Sequence, residues 1–136
     1  MDTVILTIKP RHLRNIRIGI KKLELRKSFP KCEVPFEVQC CESGSGGKII
    51  AGFICYGKTY FHPKYMLPRQ IEPYAKDACV SEDEIREYAG DGKVYGWGVA
   101  GVVDYTRAKG HPVRHISDYG LDRVPQSWCY AKKGMG

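Results

Sequence analysis

The sequence lacks the features of secreted, membrane-spanning and disordered proteins. Its longest apolar stretches, residues 49–57 and 94–103, are far shorter than the roughly 18 residues of a transmembrane helix. Asp2 and Lys9 flank a short N-terminal apolar run, which is typical of neither a signal peptide nor a transit peptide. Hydrophobic residues make up 43% of the chain and charged residues 27%, which argues against disorder. We expect one globular domain over residues 1–136, in the cytoplasm and without membrane contact.

No C-x-x-C pair occurs among the six cysteines, so the sequence lacks the usual spacing of a structural zinc site. The chain also shows no export signal, and disulfides are rare in proteins that remain in the cytoplasm. We therefore expect reduced thiols that act as small buried hydrophobic side chains. We expect neither a metal nor another cofactor.

Acidic side chains are scarce at both ends of the chain. Residues 1–31 hold nine Lys or Arg against two acids, and residues 105–136 hold six against two. Residues 72–91 hold seven acids against two bases, and the whole chain carries a net charge of +7. Basic ends around an acidic middle predict one basic and one acidic face. Such a charge distribution steers a polyanion, nucleic acid for example, to one side of the molecule.

Local patterns predict a mixed, mainly β domain. Alternation over residues 4–8 favours a strand, and Pro10 suits the first turn of the helix that follows. Gly19 is placed to end that helix in a left-handed conformation. Arg11, Arg14 and Arg17 fall three residues apart, so we expect them to form one exposed ridge that contacts phosphate.

Ser81 and Glu84 form the capping box of a second helix, which we expect to end near Ala89. Residues 36–41 and 48–56 predict a hairpin, and a long strand with three glycines follows the second helix. Glycines inside a strand are typical of the bends of small barrels. Residues 58–78 contain three prolines and predict a long irregular loop, and residues 124–130 predict a turn into a last strand.

The segment after Gly19 carries the main candidate site. Lys22, Glu24 and Arg26 alternate with two leucines and therefore share one face of a predicted strand. This arrangement places a carboxylate between two cations. Surface ion pairs contribute little stability, so we interpret the cluster as a binding site.

The octapeptide Gly19-Ile20-Lys21-Lys22-Leu23-Glu24-Leu25-Arg26 resembles the G-x-K-x-x-E-x-R signature of ASCH domains. The Ser-capped acidic helix, the Tyr-Gly-Trp strand and Pro125-Gln126-Ser127 before an aromatic residue also resemble small bacterial and phage ASCH proteins. The resemblance implies an α+β, mainly β fold: a small PUA-like β-barrel with short helices at the barrel mouth. It further implies a module that binds RNA or another single-stranded nucleic acid, with a role in RNA metabolism, translation or transcription regulation.

The resemblance also implies which residues form the binding cleft. Lys21 and Arg26 would contact a phosphate or a base oxygen, and Glu24 would orient Arg26 or accept from an exocyclic amine. We expect Gln126 and Ser127 in the same cleft, and Tyr60, Phe61 and Trp128 as stacking platforms for an unpaired base. The full set of candidate nucleic-acid-binding residues is Lys21, Lys22, Glu24, Arg26, Arg11, Arg14, Arg17, Tyr60, Gln126, Ser127 and Trp128.

Three alternatives to a binding module stay open at this stage. Some small ASCH-like proteins are amidohydrolases of N4-acetylcytidine, and in that case Lys21 and Glu24 would be catalytic. This chain departs from them because Glu24 stands where they have a threonine. A ribonuclease would draw on histidines for acid–base chemistry, and the chain has His12, His62, His111 and His115. A protein-interaction adaptor would use the acidic helix and the aromatic region before it.

Overall fold

Seven strands form one mixed sheet in the part of the chain that the computed structural model describes, residues 1–107, 110 and 112–132. The strands are β1 (Thr3–Ile8), β2 (Leu23–Arg26), β3 (Phe36–Glu42), β4 (Lys48–Phe61), β5 (Val94–Asp104), β6 (Arg114–His115) and β7 (Trp128–Tyr130). Their order across the sheet is β2-β5-β4-β3-β1-β7, and β6 pairs with β4. Strand β1 runs parallel to β3, and the other pairs are antiparallel.

The sheet curls into a half-barrel. Arg26, at the end of edge strand β2, donates a 2.7 Å hydrogen bond to the carbonyl of Thr7 in β1 and a 3.1 Å bond to Oγ of Ser127, just before β7. At Gly96 of β5 the neighbouring strands approach closely. A Cβ on this residue would lie only 2.7 Å from the side chains of Leu23 and Thr59, so the curved sheet requires glycine here. The predicted α+β, mainly β fold with short helices is confirmed, and its curled sheet is a half-barrel.

Three short helices accompany the sheet: α1 (Pro10–Arg17), α2 (Pro68–Ala78) and α3 (Glu82–Ala89). Helix α1 begins at Pro10, and Gly19 just beyond it has φ +83°, as its position predicts. Helix α3 begins after Ser81, whose side chain accepts from the backbone N–H of Glu84 in the predicted capping box. Residues 63–65 and 116–119 form 3-10 turns.

The irregular loop predicted for residues 58–78 is wrong. Strand β4 extends to Phe61, and the rest of the segment contains helix α2. Pro68 occupies the first turn, where no N–H is needed, and Pro73 is accommodated inside the helix. Burial of Ile71, Ala75 and Ala78 on one face of α2 compensates for the hydrogen bond that Pro73 cannot make.

Two packed regions place the helices relative to the sheet. Leu13 and Ile16 anchor α1 in the main core, where Trp97 is fully buried against Phe29 and Phe36. A second cluster packs α2 and α3 against the end of the sheet, with Ile71 and Ile85 at its centre. None of the helices in the described ranges is both long and apolar enough to span a bilayer.

Candidate functional site

A cleft of about 710 Å³ opens between strand β2 and helices α1 and α3. Strand β2 contributes Glu24, Leu25 and Arg26, and the cleft also includes Lys21 just before the strand. Three of the four residues matched to the ASCH signature, Lys21, Glu24 and Arg26, therefore line one hollow.

Lys21 and Glu24 lie almost completely buried, with 2% and 4% of their surfaces exposed. Nζ of Lys21 is 3.3 Å from Oε1 of Glu24 and donates a hydrogen bond to the carbonyl of Ala78 at the end of α2. The ammonium group thus links the signature strand to the helix that the sequence did not predict. Removing two charges from water costs several kcal/mol per ion, so such a buried pair is weak evidence for a purely stabilising role.

Arg26 extends the network from Glu24 to the opposite side of the half-barrel. Its Nε donates a 2.8 Å hydrogen bond to Oε2 of Glu24, and its two Nη groups reach Thr7 and Ser127. The guanidinium is therefore held in one orientation by three partners. A rigid carboxylate between two fixed cations is pre-organised, and a ligand need not order it on binding.

His12 lies on α1 beside this network and also lines the cleft. Its Nδ1 is buried and has no hydrogen-bond partner among the described residues. Burial is the main cause that lowers the pKa of His12, and the positive charge of Lys21 lowers it further. His12 therefore brings to the cleft an imidazole whose charged form is disfavoured by its surroundings.

The charge of the cleft is mixed, and the predicted separation into a basic and an acidic face does not hold here. Cations and carboxylates line it together: Lys9, Arg11, Lys21 and Arg26 with Glu24, Glu84 and Glu87. Arg11 forms an ion pair with Glu84 across the cleft, so the acidic helix faces the basic N-terminal third directly. The sequence could not show this contact, because it joins residues 73 positions apart.

An apolar wall completes the cleft. Leu25 and Ile85 lie beside Val80 and Ala78, and Tyr88 is 40% exposed. Tyr88 and Ile85 were not among the sequence candidates. The sequence feature that could have indicated them is the apolar face of α3, opposite the acidic residues of its first turn.

The predicted arginine ridge does not act as one surface in the structure. Arg11 lines the cleft, whereas Arg17 points to the end of β5 and forms a 3.1 Å ion pair with Asp104. Arg14 is exposed and is not part of the cleft lining. Lys22 is also exposed outside the cleft, and its Nζ donates to the carbonyl of Gly19.

The predicted stacking residues lie apart from the cleft. Tyr60 is 61% exposed on β4, near Tyr95, while Phe61 is buried and stacked on Tyr74. Trp128 packs edge-on against Trp97, and its indole N–H donates to Oγ of Ser28. Gln126 does line the cleft, and Ser127 belongs to it through Arg26.

The histidines do not form a pair in the described structure. Nε2 of His62 contacts the carbonyl of Asp91, and His115 accepts from the N–H of Ser117 as the cap of a 3-10 turn. His111, four residues before His115, lies outside the described residues. No group of three metal-ligating side chains is present within the ranges that the structure describes.

Comparison with known proteins identifies the fold. No protein-family model and no curated protein matches the chain. Among solved structures, ASCH from Zymomonas mobilis is similar with a TM-score of 0.73 and 16% identity, covering 97% of this chain and 89% of that one. A serine-to-alanine variant (14% identity, 97% and 89% coverage) and a tyrosine-to-phenylalanine variant (16%, 98% and 92%) of that protein also superpose with a TM-score of 0.73. At these identities the likeness shows the fold.

Proposed function

We propose that this chain, which has the ASCH-domain fold, binds an unpaired nucleotide of single-stranded RNA in the cleft around Lys21, Glu24 and Arg26. The observation that supports the proposal is the buried network of these three side chains at a cleft that also has an apolar wall. Donors, acceptors and apolar surface are the three properties that a nucleobase requires of its binding site.

The dimensions and chemistry of the cleft suit a nucleotide. Its volume of about 710 Å³ lies within the range of roughly 300–1,000 Å³ of small-ligand pockets. Tyr88, which is exposed, and the half-buried Leu25 offer a surface against which a base can pack. A duplex buries its base faces, so this wall favours an unpaired base.

Glu24 gives the cleft its acceptor. A carboxylate has about four acceptor sites, and the two ion pairs use one site on each oxygen. The remaining capacity can accept from an exocyclic amine of a base. Lys9 and Arg11 line the cleft and provide positive charge for the phosphate of the nucleotide. The charge of Arg11 is partly balanced by its ion pair with Glu84.

The amidohydrolase alternative would need Lys21 as a base, and its Nζ is engaged by Glu24 and by the carbonyl of Ala78. Catalysis would have to break this ion pair. Hydrolysis of N4-acetylcytidine is therefore an outcome to be measured and is not proposed. Release of cytidine that is lost in Lys21→Met would replace the binding proposal with an amidohydrolase.

Fluorescence anisotropy with a labelled 12-nucleotide RNA tests the proposal, with DNA of the same sequence and an RNA duplex as comparisons. We expect single-stranded RNA to bind about tenfold more tightly than the duplex, a difference of ~1.4 kcal/mol. Arg26→Ala and Tyr88→Ala should each weaken binding by about tenfold. Lys48→Met removes an exposed charge that is not part of the cleft lining and should leave affinity within about twofold of the wild type.

Two results would overturn the proposal. One is the absence of saturable RNA binding by the wild type. The other is unchanged affinity in both Arg26→Ala and Tyr88→Ala. Tyr88 is 40% exposed and forms neither ion pair of the buried network, so its substitution tests the cleft wall and leaves those two pairs in place.

A further inference from the structure

A second depression, of about 560 Å³, lies next to the cleft, on the segment that follows strand β2. Residues 27–32 and 34 form one side of this groove, and Lys58 and Tyr95 form the other. Among the described residues that line it, the only charged side chains are Lys27, Lys31 and Lys58. We call this depression the lysine groove.

The lysines of the groove differ from the cations of the cleft. In the cleft Arg11, Lys21 and Arg26 each pair with a carboxylate. Within the described ranges, no carboxylate lies within 4.0 Å of the Nζ of any of the three groove lysines, and all three residues are exposed. The three groove lysines are therefore available to a phosphate backbone, unlike Arg11, Lys21 and Arg26 of the cleft.

Aromatic rings are interleaved with this charge. Nζ of Lys58 lies 5.5 Å from the ring centroids of both Phe29 and Tyr95. Tyr60 is 6.0 Å from Tyr95 between ring centroids, and Lys93 lies over its ring at 5.3 Å. Tyr60 is exposed, and Phe29 and Tyr95 are half-buried. Cations beside accessible ring surface are the arrangement that binds single strands without sequence preference, because rings stack on bases and cations follow the backbone.

The lysine groove adjoins the cleft at Lys27. Arg26 lines the cleft, and the next residue, Lys27, lines the groove. Nζ of Lys27 lies 5.0 Å from the ring centroid of Tyr88, which belongs to the cleft wall. One chain can therefore pass from the cleft into the groove over Lys27 and Tyr88.

We infer that the lysine groove is a second subsite, which binds the phosphates and bases of the RNA that flank the nucleotide in the cleft. The inference rests on the proposed function and extends it to a single strand several nucleotides long. The cleft selects one unpaired nucleotide, and the groove supplies most of the electrostatic affinity. Tyr60 lies outside the cleft but next to Tyr95, so the inferred path of the RNA passes beside its ring.

Labelled oligouridylates of three, six and nine nucleotides test the inference by anisotropy at several salt concentrations. For the wild type we expect affinity to rise with length as the strand reaches the groove. The triple variant Lys27→Gln, Lys31→Gln, Lys58→Gln should bind the trinucleotide with an affinity within about twofold of the wild type. Its affinity should not increase for the longer oligonucleotides. Its slope of log affinity against log salt for the nonanucleotide should be smaller by about 2, since each phosphate contact contributes about 0.7.

A matched triple variant controls for net charge. Lys48→Gln, Lys76→Gln and Lys132→Gln remove the same charge from exposed positions outside both depressions. This control should keep the length dependence and the salt slope of the wild type. A loss of both that is equal in the two triple variants would overturn the inference, because charge alone would then explain it.

The failure of the groove is distinguishable from the failure of the cleft. If the affinity of the groove variant rises with RNA length as much as that of the wild type, the groove is not a subsite, and the proposed binding in the cleft is unaffected. Trinucleotide binding that is lost in Tyr88→Ala and kept in the groove variant supports both subsites. A wild type that binds none of the three oligonucleotides overturns the proposed function and the groove together.

Discussion

Nε of Arg26 donates a 2.8 Å hydrogen bond to Oε2 of Glu24, two residues earlier on the same strand. The other carboxylate oxygen of Glu24 lies 3.3 Å from Nζ of the buried Lys21. One carboxylate therefore balances two cations at the base of the cleft. Its loss would leave the ammonium of Lys21 buried beside a second positive charge.

Glu24→Gln should strongly destabilise the fold. Breaking a buried ion pair by removing one partner costs about 3–5 kcal/mol, because the remaining charge is uncompensated. For a domain of this size we expect the melting temperature to fall by about 10 °C. Thermal unfolding followed by circular dichroism measures the change. Glu87→Gln, an exposed carboxylate of the same cleft, should shift the melting temperature by little, and equal shifts in both variants would contradict the role of Glu24.

Arg26→Lys should weaken both stability and RNA binding although it keeps the charge. A lysine cannot reach Glu24, Thr7 and Ser127 together, whereas the guanidinium fork contacts all three. We expect a loss of about 1–2 kcal/mol in the free energy of unfolding. Urea denaturation measures it, with the exposed Arg123→Lys as the control. A fully stable Arg26→Lys protein would show that the three contacts contribute nothing.

The free energy of unfolding should decrease as the pH falls below about 6.5, the ordinary pKa of histidine. Burial and the charge of Lys21 lower the pKa of His12 in the folded state, so the unfolded state takes up this proton first. The loss begins near the unfolded value and levels off below the folded value. Urea denaturation at pH 7.5, 6.5 and 5.5 measures the dependence. His12→Gln should flatten it, and an unchanged slope in this variant would assign the effect to other groups.

The six thiols should divide into two classes of reactivity. All six cysteines are unpaired, and Cys40, Cys41 and Cys55 are buried. Burial raises the pKa of Cys55 to about 11 and raises the pKa of Cys40 further, which suppresses the reactive thiolate. Titration with a chromogenic thiol reagent should modify Cys32, Cys79 and Cys129 in the native protein before the buried three. Detection of fewer than six thiols after denaturation without reductant would contradict the expected reduced state.

Local signals in the sequence predicted the elements that are stabilised locally. Pro10, Gly19 and the Ser81–Glu84 capping box gave the ends of α1 and α3 because these devices act within one helical turn. Helix α2 was missed because Pro73 lies in its interior, where proline disfavours a helix in isolation. Its buried face exists only through packing with α3 and the end of the sheet.

The candidate site was predicted in its centre and missed at its walls. The signature placed Lys21, Glu24 and Arg26 in one cleft, and strand alternation placed Lys22 beside Glu24. In the structure Lys21 and Arg26 pair with Glu24, whereas Lys22 contacts the carbonyl of Gly19. The carbonyl of Ala78 and the ring of Tyr88 reach the cleft through tertiary contacts with α2 and α3, which have no local signal. For the same reason, the sequence could not show that Glu84 compensates the charge of Arg11.

Binding of an unpaired nucleotide at the cleft is tested most directly by a ¹H–¹⁵N correlation spectrum of the protein, titrated with a trinucleotide RNA. The account predicts saturable shifts concentrated at the backbone amides of Arg26, Ala78 and Tyr88, around the cleft. The amides of Lys48 and His115, at the other end of β4, should not move. Saturable shifts centred on Lys48 and His115, or no shifts at the cleft at millimolar RNA, would contradict it.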